Sequence, residues 1–126
     1  MNAHTPDNAM VWFEIPVTDM ARAKAFYKAV LRADFQEDDT GPNPVSMFAI
    51  KDMQAGLSGH LYPGKPAAGG SGNTIHLAAP EPLEDALKRV GESGGKVVSD
   101  IVKIPPGRFA YCTDPDGNSI GLFTKG

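Results

Sequence analysis

The sequence is poor in the features that mark several large classes of protein. It has one cysteine, Cys112, in 126 residues. An internal disulfide framework is excluded, and a reducing cytosol is the expected compartment. No apolar run approaches the ~20 residues that a membrane-spanning helix requires, and the N-terminus has no apolar stretch of the signal-peptide kind. A cytoplasmic protein without a membrane partner is expected. Lys and Arg total 12 against 15 Asp and Glu, a net charge of −3. Nucleic acid is not an expected partner, because its phosphates call for a basic surface. Histidine is scarce as well. Of three, His4 falls in the polar stretch Met1 to Ala9, expected to be a loose tail without a role.

Turn-forming residues are abundant by contrast. With 14 Gly and 11 Pro the chain has the punctuation of many short strands. Hydrophobic residues at 41% suffice for the core of one compact domain. The clearest stretch is Pro105 to Thr124, PPGRFAYCTDPDGNSIGLFT. Phe109, Tyr111 and Thr113 share one face of a first strand, and Arg108, Ala110 and Cys112 share the other. After the break, Ile120 and Leu122 point one way and Ser119, Gly121 and Phe123 the other. This period of two predicts a half-buried antiparallel pair, joined by Asp114-Pro115-Asp116-Gly117-Asn118 as the turn. The turn begins like a calcium loop, D-x-D-x-N. Pro115 in the second place, Ser119 instead of the sharp-turn Gly, and Lys125 in place of a bidentate Glu reject that reading.

Alternation and helical spacing divide the rest. Met10 to Val17 is predicted as a strand with Val11, Phe13, Ile15 and Val17 on one face and Trp12, Glu14 and Pro16 on the other. Thr18-Asp19 supplies helix-capping chemistry, and Met20, Ala23, Phe26, Tyr27, Val30 and Leu31 form the buried side of a helix over Met20 to Leu31. Strands are predicted over Ala33 to Asp38, Val45 to Ile50 and Met53 to Leu61, with a loop at Asp39 to Pro44 and a turn at Lys51-Asp52. Pro63 to Gly72 reads as a flexible linker. Its Gly70-Ser71-Gly72 precedes a strand, so it is not a phosphate loop. Asn73 to Ala79 is the next strand, with Ile75, Leu77 and Ala79 opposite Thr74, His76 and Ala78. A helix follows with Pro82 as its first residue and a stripe of Leu83, Ala86, Leu87 and Val90. Glu84 with Lys88 and Asp85 with Arg89 are read as solvent-side i,i+4 pairs, and Gly94-Gly95 ends the helix. Lys96 to Ile104 is predicted as one strand before the closing hairpin.

The pattern β-α-β-β-β thus occurs twice. The helices align with an offset of 63 and the opening strands with an offset of 62, which implies one inserted residue at Ala79-Pro80-Glu81-Pro82 and makes Glu14 equivalent to His76 and Trp12 to Thr74.

The closing G-R-F-A-x-x-x-D-P-D-G-N-x-I-x-L-F, the duplicated pattern and the Thr18-Asp19 helix start resemble the vicinal oxygen chelate superfamily. That superfamily contains glyoxalase I, bleomycin-resistance proteins, fosfomycin-resistance enzymes and extradiol dioxygenases. The likeness spans nearly the whole chain and is nearest to small glyoxalase-like members of undefined activity. It implies an α+β fold of two βαβββ modules, with curved mixed sheets around a ligand-holding cup and helices outside. The expected organisation is one domain over 1–126, with module one at about 10–62, a linker at 63–72 and module two at about 73–125.

Metal-using relatives place His, Gln or Glu near the start of each module and Glu or His on each last strand, for Lewis-acid binding of vicinal oxygens. Those positions fall here on Trp12, on Thr74 (on Ile75 without the inserted residue) and on Gly121, none a competent ligand. A fourth position near Ser58 to His60 is fillable. The expected function is therefore binding of a small organic molecule without a bound metal. Trp12 and Phe123 would offer stacking surface, and Glu14, His76 and Arg108 would fix orientation. Glu14 and His76 are expected to bond each other or Arg108 in a polar pocket floor. Arg108 has two readings, a clamp for an anion and a solvated strand end; Cys112 is read as packing. An alternative is a metal-dependent lyase, isomerase or dioxygenase in which Glu14, His60 and His76 hold zinc, nickel or iron. Another is a regulatory partner protein with a vestigial cup. A homodimer is expected, since relatives complete their cups with a second subunit and symmetric pairs are common.

Overall fold

The computed structural model describes residues 3–125; Met1 and Asn2 of the expected tail lie outside the described residues. β1 (Trp12–Val17), α1 (Met20–Leu31), β2 (Phe35–Asp38), β3 (Val45–Phe48) and β4 (Ser58–Pro63) come first. β5 (Ile75–Ala78), α2 (Leu83–Glu92), β6 (Lys96–Val97), β7 (Val102–Ile104), β8 (Gly107–Thr113) and β9 (Ser119–Thr124) follow. Sheet one has the order β1-β4-β3-β2; sheet two has β5-β9-β8-β6, with β7 also paired to β8. In each sheet the opening strand runs parallel to the last, β1 on β4 and β5 on β9, and the other pairs are antiparallel. This is the expected α+β duplication, built as two open mixed sheets.

Strand alternation decides what each sheet covers. Ile15 and Val17 of β1, Leu61 of β4 and Phe48 of β3 face inward in sheet one; Leu77, Ala110, Cys112, Ile120 and Leu122 do so in sheet two. All of these but Ala110 share one core with Ala23, Phe26, Tyr27 and Val30 of α1 and Leu83, Ala86 and Val90 of α2. Each fully buried Val, Leu, Ile or Phe side chain contributes roughly 1.5–3 kcal/mol, so the shared core is the main reason the two halves hold together. Phe13 and Ile75 are half-buried at its edge, while Val11, expected inside, lies before β1 and is 76% exposed.

Polar contacts join the halves at definite places. The Tyr27 hydroxyl, buried in α1, donates to Asp114 Oδ2 at 2.8 Å. Burial, then the charge of Asp114 and this bond, push the Tyr27 hydroxyl well above its ordinary value. Asp114 Oδ1 accepts from the amides of Asp116 and Asn118, closing the β8–β9 turn with Gly117 at φ +85°. Asn118 donates to the Pro16 carbonyl, and Asp116 accepts from Thr18 and Arg22. The turn that marks the sequence therefore holds the start of α1 as well as its own two strands.

Several expected boundaries and pairings differ. The strand predicted from Met53 begins at Ser58, because Asp52 accepts from the amides of Gln54 and Ala55 and makes a turn there. The strand predicted over Lys96 to Ile104 is broken. From Val97 to Val102 is five steps, against three from Cys112 to Phe109 on β8, and the surplus loops out. Ser99 Oγ accepts from the Tyr111 amide across this gap. Asp19 caps α1 through the Arg22 amide as expected. Pro82 is the cap residue of α2 and not its first helical residue. Arg89 does not pair with Asp85. Its guanidinium donates to the carbonyls of Ala29 and Val30 at the C-terminal end of α1, where the helix leaves carbonyls without intrahelical partners and a cation is favoured.

Candidate functional site

The outer face of sheet one gathers Trp12 and Glu14 from β1, His60 and Tyr62 from β4, and Met47 from β3. Parallel register sets Glu14 beside His60, and antiparallel register sets Met47 beside His60. Trp12 Nε1–H donates to His60 Nδ1 at 2.9 Å. Because an indole only donates, Nδ1 must carry the lone pair, and the proton of neutral His60 sits on Nε2. Nε2–H then donates to Glu14 Oε1 at 3.1 Å. One chain of bonds, Trp12 to His60 to Glu14, thereby fixes the ring and its tautomer. The Trp12 and Tyr62 rings flank that of His60, each with centroids 6.0 Å away.

These side chains form one wall of a groove of about 380 Å³, closed on the other side by Asp38, Thr40, Gly41, Pro42, Asn43 and Val45. Asp38 Oδ1 accepts from the Thr40 hydroxyl and amide, which holds its carboxyl below the usual range. The groove has aromatic surface, a soft thioether, two carboxylates and no lysine or arginine in its lining.

The outer face of sheet two is built differently. His76 on β5 lies beside Gly121 on β9, and a Cβ at Gly121 would stand 2.5 Å from His76 Cε1. The missing side chain is what lets the imidazole lie down on the neighbouring strand. Its ring packs edge-on against Phe109 at 5.0 Å and against Tyr111 at 5.7 Å, with Phe123 opposite Phe109 on the same face.

The expected residues therefore fall into three places. Trp12, Glu14 and His60 meet on sheet one. His76 and Phe123 lie on sheet two, and the bond expected between Glu14 and His76 is not formed; Glu14 bonds His60. Arg108 is on the inward-facing side of β8, opposite Thr124. It donates through both terminal nitrogens to Glu84 of α2 at 2.8 and 3.1 Å. That fork lowers the Glu84 carboxyl to about 2 and raises the guanidinium, so Arg108 joins helix to sheet. The packing reading of Cys112 agrees with its burial, which pushes the thiol up to about 11 and removes its nucleophilic form at neutral pH. Asp38, Met47, Tyr62, Phe109 and Tyr111 were not among the expected site residues. Phe109 and Tyr111 were recoverable from the sequence, since they share a hairpin face with Gly121, the neighbour of His76.

Comparison with known proteins agrees with this geometry. The sequence profile of the Glyoxalase/Bleomycin resistance protein/Dioxygenase superfamily matches residues 9–122. The chain belongs to this superfamily. A glyoxylase-like domain-containing protein of Didymella fabae is 27% identical over 122 residues, covering 89% of this chain and 90% of that one. The crystal structure of a glyoxalase/bleomycin resistance protein from Streptomyces sp. CB03234 is similar with a TM-score of 0.66 at 30% identity, covering 90% of this chain and 98% of that one. The fosfomycin resistance protein FosX of Listeria monocytogenes shares the fold with a TM-score of 0.70 at 17% identity, covering 97% and 94%.

Binding a metal ion takes three or four convergent donors. Among the described residues no three His, Cys, Asp or Glu side chains are grouped to hold an ion. Glu14 and His60 are bonded to one another, and both nitrogens of His60 are engaged, while His76 packs on the other sheet. Also among the described residues, no helix is long and apolar enough to cross a membrane.

Proposed function

We propose that the chain is a cytosolic, metal-free binding protein of the glyoxalase/bleomycin-resistance type that holds a small organic ligand in the groove on sheet one. The observation that supports this most is the Trp12–His60–Glu14 chain. It presents pre-oriented aromatic rings, tilted against one another, and leaves one carboxylate oxygen, Glu14 Oε2, without a partner among the described residues. The groove's 380 Å³ suits a ligand of modest size, since such pockets run from roughly 300 Å³ upward.

A second copy of the chain completes the site in this reading. The outer face of sheet two carries exposed Val102, Ile104 and Tyr111 beside Phe109 and Phe123, an apolar face of the kind that marks an interaction surface. Within one chain the groove holding Glu14 and His60 and the cleft holding His76 are separate. A symmetric dimer would set the aromatic face of one copy over the groove of the other.

The test is elemental analysis of the protein as purified, together with light scattering and a thermal-shift screen of small organic compounds read also by Trp12 fluorescence. Negligible metal, a dimer mass and at least one stabilising compound that changes the Trp12 emission are expected. One tightly held metal ion per chain would overturn the metal-free reading in favour of a metal-dependent lyase, isomerase or dioxygenase. A monomer mass at micromolar concentration would remove the second copy from the site.

A further inference from the structure

The composition of the groove goes beyond binding in general to the charge of what binds. We propose that the groove on sheet one selects planar organic cations, protonated or quaternary nitrogen on an aromatic frame, and rejects organic anions. The inference rests on the reading of this groove as the ligand site.

Three observations carry it. First, the lining contains Glu14 and Asp38 and neither lysine nor arginine, so the site has two negative charges and no positive side chain to answer them. Both carboxylates are set for this role. Glu14 is 64% exposed at its side chain, with Oε2 turned to no donor among the described residues. Asp38 is held ionised by the Thr40 hydroxyl and amide. Second, His60 does not offset that charge while its bond to Trp12 stands. The indole N–H occupies Nδ1, and imidazolium, with hydrogen on both nitrogens, could not accept it. Third, the wall that β1, β3 and β4 give to the groove is aromatic and soft. The Trp12, Tyr62 and His60 rings stand around one wall, with Met47 next to His60. Aromatic faces attract cations through their quadrupole, and carboxylates near them add charge attraction in a partly desolvated groove. An anion in the same place would meet two like charges and no donor strong enough to compensate for them.

The test uses three bicyclic probes of similar size at pH 8 and low salt: N-methylquinolinium, quinoline and 2-naphthoate, as cation, neutral molecule and anion. Affinities are measured by calorimetry on the full chain, and Trp12 emission reports whether the groove is occupied. N-methylquinolinium is expected to bind on the order of tenfold more tightly than quinoline, with no measurable binding of 2-naphthoate. Glu14→Gln and Asp38→Asn should each lower the affinity for the cation several-fold and that for quinoline by much less. Both amides keep the oxygen that His60 or Thr40 uses, so the groove wall is preserved, and circular dichroism verifies folding. Equal or tighter binding of quinoline or 2-naphthoate overturns the cation selectivity and leaves the groove as the ligand site. Insensitivity of cation binding to both substitutions overturns it as well. No change in Trp12 emission with any probe up to its solubility overturns the site itself.

Discussion

The two outer faces are built on the same strand plan and do different work. In sheet one Glu14 sits beside His60; in sheet two the equivalent pair is His76 beside Gly121. Where the first half has a histidine bonded on both sides, the second has an empty place that its own histidine lies across. One face is a polar chain ending in a carboxylate, the other a cluster of rings. Duplication preserved the inward residues, Ile15 with Leu61 and Leu77 with Leu122, because both contribute to one core. The outward positions had no such constraint and diverged. The lesson is that symmetry of the backbone predicts equivalence of positions, while chemistry follows from which neighbour each position has across the strand.

The largest test of this contrast is Gly121→Ala. A Cβ there displaces the exposed His76 ring from its seat, and the lost ring packing costs about 1 kcal/mol. Urea denaturation should show that loss with the native Trp12 emission unchanged. A variant as stable as the parent would mean that His76 does not depend on the bare strand. His60→Ala acts on the other face. Trp12 is 38% exposed, so water replaces the lost acceptor and stability should fall by less than about 1 kcal/mol. The Trp12 emission should nevertheless shift, since its N–H partner and neighbouring ring are gone. An unchanged spectrum would dissolve the chain of bonds that distinguishes sheet one. The smallest effect concerns Arg108, which neither outer face contains. Its fork holds Glu84 at about 2, below the ordinary 4.5. A depressed carboxyl contributes stability above its unfolded value and loses it as pH falls toward its folded one. Glu84→Gln should therefore lose slightly less stability than the parent between pH 4.5 and pH 2, followed by thermal denaturation. The pair is exposed, so the difference is small.

Much of this was legible in the residues. Strict alternation in Phe13-Glu14-Ile15 and Ile75-His76-Leu77 gave the correct faces, because one side of each strand is buried and a one-residue slip would expose the core set. The helix stripe Ala23, Phe26, Tyr27 and Val30 was equally plain. The Glu14–His76 bond was not recoverable in that way, since aligning a repeat reports which residues correspond and not which ones touch. Parallel pairing of β1 with β4 is a contact between positions 46 residues apart, set by topology. Arg108 with Glu84, and Arg89 with the end of α1, join a strand to a helix or one helix to another, where periodicity is silent. The loop-out between β6 and β7 escaped because Val97, Val98, Ile101 and Val102 are all apolar, so a continuous strand looked as plausible as a broken one.

The cap that Arg89 places on α1 has a consequence for how divisible this chain is. The end of one half's helix is finished by a side chain from the other half, as the start of that helix is held by the β8–β9 turn. The only covalent tie between β4 and β5 is the stretch 64–74, mostly exposed. Cleavage within it would cut the backbone and leave the common core, the Tyr27–Asp114 bond and both holds on α1 intact. The two fragments should therefore remain associated and, made separately, find each other. The molecule is divided by sequence into two repeats but by its contacts into one folding unit, which makes that stretch a natural position for fragment complementation.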